Sequence, residues 1–286
     1  MMLTMCKKMI LFCVFFIVYG VSLCYTEEKG GWNMKIALQL YTMRKFMSGD
    51  ELDATLAKIK KTGYDYVETA GYAGLTPGEF KKHLDAAGLR AVSAHIGYDN
   101  FRDLDKLKEE LASLDIKECA IPSFNRFYFP ESAAGFTSLA EKMEGFALSL
   151  GESGIGLSYH NHKEEFSLHG PACGEQYIFN TARSLGFQLD CGHCRAAGEE
   201  PSEWIRRYGD RIYSIHAKDV NFDKDGMRYD TPIGDGLVDW DKVFGELVKT
   251  SCECIIVEHE TMPGDMYEHI EKSYKFLSEK IKKYYN

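Results

Sequence analysis

Residues 58–69 read KIKKTGYDYVET: the end of an amphipathic helix, a glycine, and then a short strand. Gly63 suits the position just past a helix, which favours positive φ and which glycine occupies without a Cβ clash. The same unit returns in LDAAGLRAVSAHI (84–96), GESGIGLSYHNH (151–162), ARSLGFQLD (182–190) and RRYGDRIYSIHAK (206–218). The strands in these units are near-continuous apolar runs, as expected of parallel strands buried on both faces.

Working outward from these units, strands are expected at 35–41, 64–69, 90–96, 118–122, 156–162, 187–190, 212–217 and 254–260. Helices follow at about 50–62, 76–87, 103–113, 135–152, 174–185, 201–208, 239–249 and 265–283. Eight alternating units over roughly 250 residues fit a single-domain α/β fold, the (β/α)8 TIM barrel, over residues 34–286. A doubly wound sheet is the rival. It usually carries a glycine-rich phosphate turn after its first strand, and LQLYTMRKFMSG (38–49) has none.

The chain has 286 residues, 45% hydrophobic and 27% charged, enough for one large core. Its formal charge of −9 repels phosphate backbones, which argues against a nucleic-acid partner. Residues 1–24, MMLTMCKKMILFCVFFIVYGVSLC, have a basic start and an apolar middle, the order of a secretory signal peptide. The apolar run is shorter than the roughly 20 residues of a spanning helix. Val21-Ser22-Leu23-Cys24 resembles a lipobox, with Leu23 where a small residue is usual. Residues 25–33 read as a short linker. The expectation is an exported, periplasmic protein that meets the membrane only through its signal or a lipid on Cys24.

In a barrel of this kind, chemistry gathers at the C-terminal ends of the strands. His95, His160, His162, His193, His216 and His259 all fall at or just past such ends, joined by Glu68, Asp190, Glu258 and Glu260. Acids converging on one rim imply shared cations or protons. Asp190, His216 and Glu258 offer two carboxylates and an imidazole from three consecutive strands, a donor set suited to one Mn²⁺, Mg²⁺, Co²⁺ or Zn²⁺ with open coordination. Cys191-Gly-His-Cys194 is the competing motif. It supplies only two sulfurs, and Gly192 and the polar stretch after it do not read as a helix start, so a redox pair is not expected. The cysteines from Cys119 onward read as buried small hydrophobes.

The ordered set LQLYTMR, GLTPGEFKKHLDAAGLRAVSAHIGYD, YHNHKEEF, LDCGH, RIYSIHAKD, PIGDGLVDW and IIVEHE resembles the xylose isomerase-like, or sugar phosphate isomerase/epimerase, TIM-barrel superfamily. The likeness is nearest to the inosose dehydratase-like branch. It implies one divalent metal held by Asp190, His216 and Glu258, with His193 touching substrate. Strand five departs from the pattern: sugar epimerases of the superfamily place there a Glu that is both ligand and acid/base, and here the run is SYHNHKEEF (158–166). His160 and His162 alternate onto one face. His162 is expected as the fourth ligand and His160 as the acid/base, with Glu165 as an alternative and Glu258 sharing in proton transfer. Glu68, His95, Lys218 and Glu260 are expected to hold substrate, with Gln39 and Trp240 as lesser candidates.

The expected function is a metal-dependent isomerase or epimerase of a non-phosphorylated sugar or keto-sugar, acting by proton transfer through an enediolate. A keto-sugar or keto-inositol dehydratase or lyase is the alternative, favoured by the strand-five histidines. A carbohydrate-binding barrel without chemistry is a third reading. The partner is a small-molecule sugar, and a homo-oligomer is compatible with the sequence.

Overall fold

The computed structural model describes residues 34–124, 129–261 and 264–285. The expected signal peptide and linker lie outside the described residues. Among the described residues there are ten strands: β1 (Lys35–Gln39), β2 (Tyr66–Ala70), β3 (Arg90–His95), β4 (Glu118–Ile121), β5 (Gly156–His160), β6 (Gly186–Asp190), β7 (Ile212–Ala217), β8 (Asp219–Phe222), β9 (Arg228–Thr231) and β10 (Cys254–Val257). Eight of them close a barrel in the order β1-β10-β7-β6-β5-β4-β3-β2, and every pair in it is parallel. This is the expected TIM barrel. Strands five and eight of the barrel stop early, at His160 and Val257, so His162, Glu258 and Glu260 stand on the rim instead of within strands.

Around the barrel run α1 (Glu51–Thr62), α2 (Pro77–Ala87), α3 (Leu104–Ser113), α4 (Ala133–Gly151), α5 (Gly174–Thr181), α6 (Cys191–Ala196), α7 (Pro201–Tyr208), α8 (Trp240–Leu247) and α9 (Met266–Tyr285). Local chemistry sets their ends. Thr76 and Glu79 form a reciprocal capping box at the start of α2, and Gly88 closes that helix in the left-handed region at φ 71°. At Gly63, φ is 123°, and a Cβ there would lie 2.6 Å from Tyr274 Cε1. Tyr274 belongs to α9 and packs edge-on against Tyr64, their ring centroids 4.9 Å apart. Tyr64 in turn donates to the Ile270 carbonyl at 2.9 Å. The opening motif therefore does more than end a helix: it docks the last helix onto the barrel. Gly63→Ala combines backbone strain with a ring clash and is expected to cost about 1–3 kcal/mol. Thermal melting checks this, with a fall of several degrees expected.

Two features depart from expectation. Between the strand expected at 212–217 and the helix expected at 239–249, where no element is expected, β8 and β9 pair antiparallel into a hairpin that leaves the end of β7, with Asp219 opposite Thr231 and Phe222 opposite Arg228. The CxxC stretch does open a helix, the short α6, because the Asp190 carboxylate caps it by accepting from His193 N at 2.7 Å. Cys191 and Cys194 are free and buried, and burial pushes both thiols well up, away from the thiolate that redox or metal chemistry needs. Among the described residues no helix is long and apolar enough to cross a membrane.

Candidate active site

Strand alternation decides which side chains enter the barrel. Low in the barrel, Ala37, Cys254 and Ile256 form an apolar layer with Tyr66 and Val92. Above it Glu68 forms a polar floor, its carboxylate accepting from Gln39 Nε2 at 3.0 Å and Gln188 Nε2 at 2.8 Å. His216 Nε2 lies 2.9 Å and His95 Nε2 3.0 Å from the same carboxylate. Burial alone would raise the Glu68 carboxyl; the two imidazoles hold it well below the usual carboxylate range. Glu68 is therefore a fully buried brace beneath the histidines and does not face the open cavity.

Over this floor, His160, Asp190, His216 and Glu258 each turn one ligand-capable atom into a common space, all four atoms within 4.8 Å of one another. Their orientations suit an ion. His160 Nδ1 lies 3.1 Å from Gln188 Oε1, which leaves Nε2 toward the cluster, 3.9 Å from Asp190 Oδ2. His216 gives Nε2 to Glu68 and turns Nδ1 toward Glu258 Oε2 at 3.1 Å. A carboxylate behind a ligating imidazole is the usual means of fixing its tautomer. Asp190 uses Oδ1 as the helix cap, while its buried Oδ2 has no hydrogen-bond partner. A buried, unbonded carboxylate oxygen aimed into a set of two imidazoles and two carboxylates fits a divalent cation. Burial lowers the pKa of His216, but the charges of Glu68 and Glu258 outweigh that and raise it to about 10, so an incoming ion would displace a proton there.

Lys218 lies beside this group, fully buried. Its Nζ is 3.4 Å from Asp190 Oδ2, 3.1 Å from Glu258 Oε2 and 3.0 Å from Glu260 Oε1. Burial disfavours the ammonium, yet these acids hold it firmly charged. His162, His193 and Glu260 form a second group toward the rim. Burial, with the His193 and Lys218 charges, depresses His162 to about 3 and leaves it uncharged at neutral pH. A cavity of about 320 Å³ opens above both groups, lined by Tyr41, His95, His160, His162, Glu258 and Glu260 among others.

The geometry groups His160, and not His162, with Asp190, His216 and Glu258, exchanging the places expected for the two strand-five histidines. Glu165 is turned away from the cavity: it accepts from the Tyr159 hydroxyl and from His162 N in the core behind β5. His259 also points outward, Nε2 3.2 Å from Ser273 Oγ on α9. Sequence reading missed Arg228. From β9 it reaches Glu260 Oε2 at 2.9 Å and His193 Nδ1 at 2.8 Å. Asp219, next to Lys218, turns its carboxylate to clamp the 234–240 loop, accepting from Gly234 N, Gly236 N, Val238 N and Trp240 Nε1. Trp240 is thus a helix-start anchor, buried and away from the cavity.

The model of the xylose isomerase-like TIM barrel family matches residues 56–280. The chain belongs to that family. Within this xylose isomerase-like group it is similar to an inosose dehydratase of Geobacillus kaustophilus, 23% identical over 74% of this chain and 81% of that protein. Further relatives of the same name match over a little more than half of their own length. The barrel is also similar to a sugar phosphate isomerase/epimerase from Parabacteroides distasonis, with a TM-score of 0.74 and 21% identity over 93% of this chain and all of that one. A second solved structure with this fold, the IOLI protein holding a zinc atom, gives a TM-score of 0.63 at 17% identity over 88% of this chain and all of that one.

Proposed function

We propose that the chain is a divalent-metal-dependent lyase that removes a carbon-bound proton beside a carbonyl of a keto-sugar or keto-inositol and expels the β-oxygen. The carrying observation is strand five, where a histidine, His160, stands with Asp190, His216 and Glu258. The epimerase pattern uses a strand-five carboxylate as ligand and acid/base; here that position is an imidazole held by Gln188, and Glu258 is the one glutamate of the group. An elimination needs a base at one carbon and a proton donor at its neighbour, not two carboxylates on opposite faces. The curated relative is by name a dehydratase, which supports this reading.

His160, Asp190, His216 and Glu258 would hold the metal. When bound, it supplies Lewis-acid stabilisation of the oxyanion that develops at the substrate carbonyl. His162, uncharged and lining the cavity, accepts the carbon-bound proton. Lys218, held cationic among three acids, donates to the departing oxygen. Glu260 and Arg228 hold substrate hydroxyls at the rim. The barrel walls and Glu68 keep these groups oriented and exclude water.

An NMR panel of free sugars, 3-keto-sugars and keto-inositols in D₂O with the Mn²⁺-, Co²⁺- or Zn²⁺-loaded protein tests this. The expected result is loss of water or an alcohol from a keto substrate, abolished by a chelator and restored by added metal. Deuterium uptake with every oxygen retained would favour the isomerase or epimerase reading. Binding without uptake would favour a carbohydrate-binding barrel, and turnover that survives chelation would overturn the metal.

A further inference from the structure

A larger cavity of about 830 Å³ adjoins the first, between the turn after β1, α1, β9 and the start of α9. Four cations line it: Arg44, Lys45, Lys58 and Arg228. In a chain of net charge −9 this gathering runs against the overall balance. Arg228 is neutralised by Glu260. The other three have no carboxylate within ion-pair distance among the described residues. Arg44 spends its guanidinium on two backbone carbonyls, Tyr41 O at 2.9 Å and Glu260 O at 2.8 Å, which orient the fork without cancelling its charge. Lys58 Nζ lies 4.6 Å from the Tyr267 ring centroid, and Lys45 is exposed. The two acids of the lining offset them only in part, since Asp265 can balance no more than one of the three. Glu260 is held by Lys218 and Arg228, and Asp265 accepts from Tyr267 N at 2.8 Å.

The two cavities meet at Glu260, which lines both. Arg44 stacks 4.2 Å over the ring of Tyr41, a wall of the inner cavity. Phe46, Tyr229 and Tyr267 add aromatic surface to the outer one. Convergent Arg and Lys donors recognise carboxylates and phosphates, and aromatic faces suit a sugar ring.

We infer that the outer groove binds an anionic group, a carboxylate or a phosphate ester, borne on the part of the substrate that extends beyond the reacting ring. This rests on the proposed sugar site in the inner cavity. The true substrate class is then an acidic sugar conjugate, such as a uronate- or aldonate-bearing disaccharide, and the cations at the groove choose it before chemistry begins.

Calorimetry on the metal-loaded protein tests this with matched probes: glucose against glucuronate, cellobiose against cellobionate, and glucose 6-phosphate as the phosphate arm. Cellobionate is expected to bind about tenfold more tightly than cellobiose, an advantage that fades at high salt. In a Lys45→Gln/Lys58→Gln double variant the two should bind within about twofold of each other, with cellobiose affinity unchanged. Both lysines are exposed, so the variant keeps its fold; Arg44→Gln provides an independent second variant. A stronger response to glucose 6-phosphate than to glucuronate assigns the anion as a phosphate ester, and the reverse as a carboxylate. Equal binding of charged and neutral members, or a charge preference that survives both variants, overturns the groove. Acids bound while no neutral sugar binds would count against the inner sugar site alone, and binding of no probe would overturn both.

Discussion

Asp190→Asn is expected to lower the proposed turnover about a thousandfold and to leave the barrel folded. Asp190 has two separable tasks, one for each oxygen. Oδ1 caps α6 through His193 N, and an asparagine carbonyl keeps that bond. Oδ2 is buried without a hydrogen-bond partner, 3.4 Å from Lys218 Nζ, and faces His160, His216 and Glu258, and an amide there can neither ligate a cation as an anion nor balance Lys218. Lewis-acid stabilisation amounts to several kcal/mol, and each 1.4 kcal/mol is about tenfold in rate. Metal titration and the D₂O panel read the loss, while circular dichroism should show a melting point within a few degrees of the parent. Asp190→Ala adds the cost of the lost cap, about 1 kcal/mol. An Asp190→Asn protein that retains metal affinity and turnover would remove Asp190 from the site.

Asp219→Ala is expected to cause the largest loss of stability of any single change at the rim. The carboxylate accepts from Val220 N at 3.0 Å, Val238 N at 3.1 Å, Gly234 N at 2.9 Å, Gly236 N at 3.2 Å and Trp240 Nε1 at 2.9 Å. Backbone comes so close that a Cβ on Gly236 would lie 2.2 Å from Asp219 Oδ1. Alanine leaves these donors without an acceptor in a buried place. Hydrogen bonds to charged groups are worth about 1.5–3 kcal/mol each and do not add fully, so a loss of about 4 kcal/mol follows. Melting should fall by on the order of 10 °C. Asp219→Asn, which keeps one acceptor oxygen, should lie between. Because Lys218 precedes Asp219, turnover should fall with stability. A melting point unmoved by Asp219→Ala would show that the loop is held by other means.

The barrel was legible because its unit repeats: helix, glycine, strand. The convergence of Asp190, His216 and Glu258 was legible because strand ends in such a barrel share one rim. Other points depended on distances the sequence does not carry. Alternation already sends Glu258 and Glu260 to one side and His259 to the other, but counting strand-end histidines treats all three alike. Choosing between His160 and His162 depended on where β5 stops, and it stops at His160, two residues earlier than its apolar pattern suggests. Glu165 reads as an acid beside the site, yet Tyr159 on the outer face of the strand draws it into the core. The hairpin that delivers Arg228 left a signal in Asp225-Gly226, a common tight-turn pair, with Gly226 at φ 77°. That signal announces a turn, not the partner its arginine finds across the rim.

Lys218 bears on how the protein matures. An ammonium set among Asp190, Glu258 and Glu260 offsets their mutual repulsion, so the polypeptide is expected to reach its final shape without borrowing charge from outside. Assembly and loading of the proposed metal site would then be independent events. The ion such a site takes would be decided by what the surroundings supply after synthesis is over.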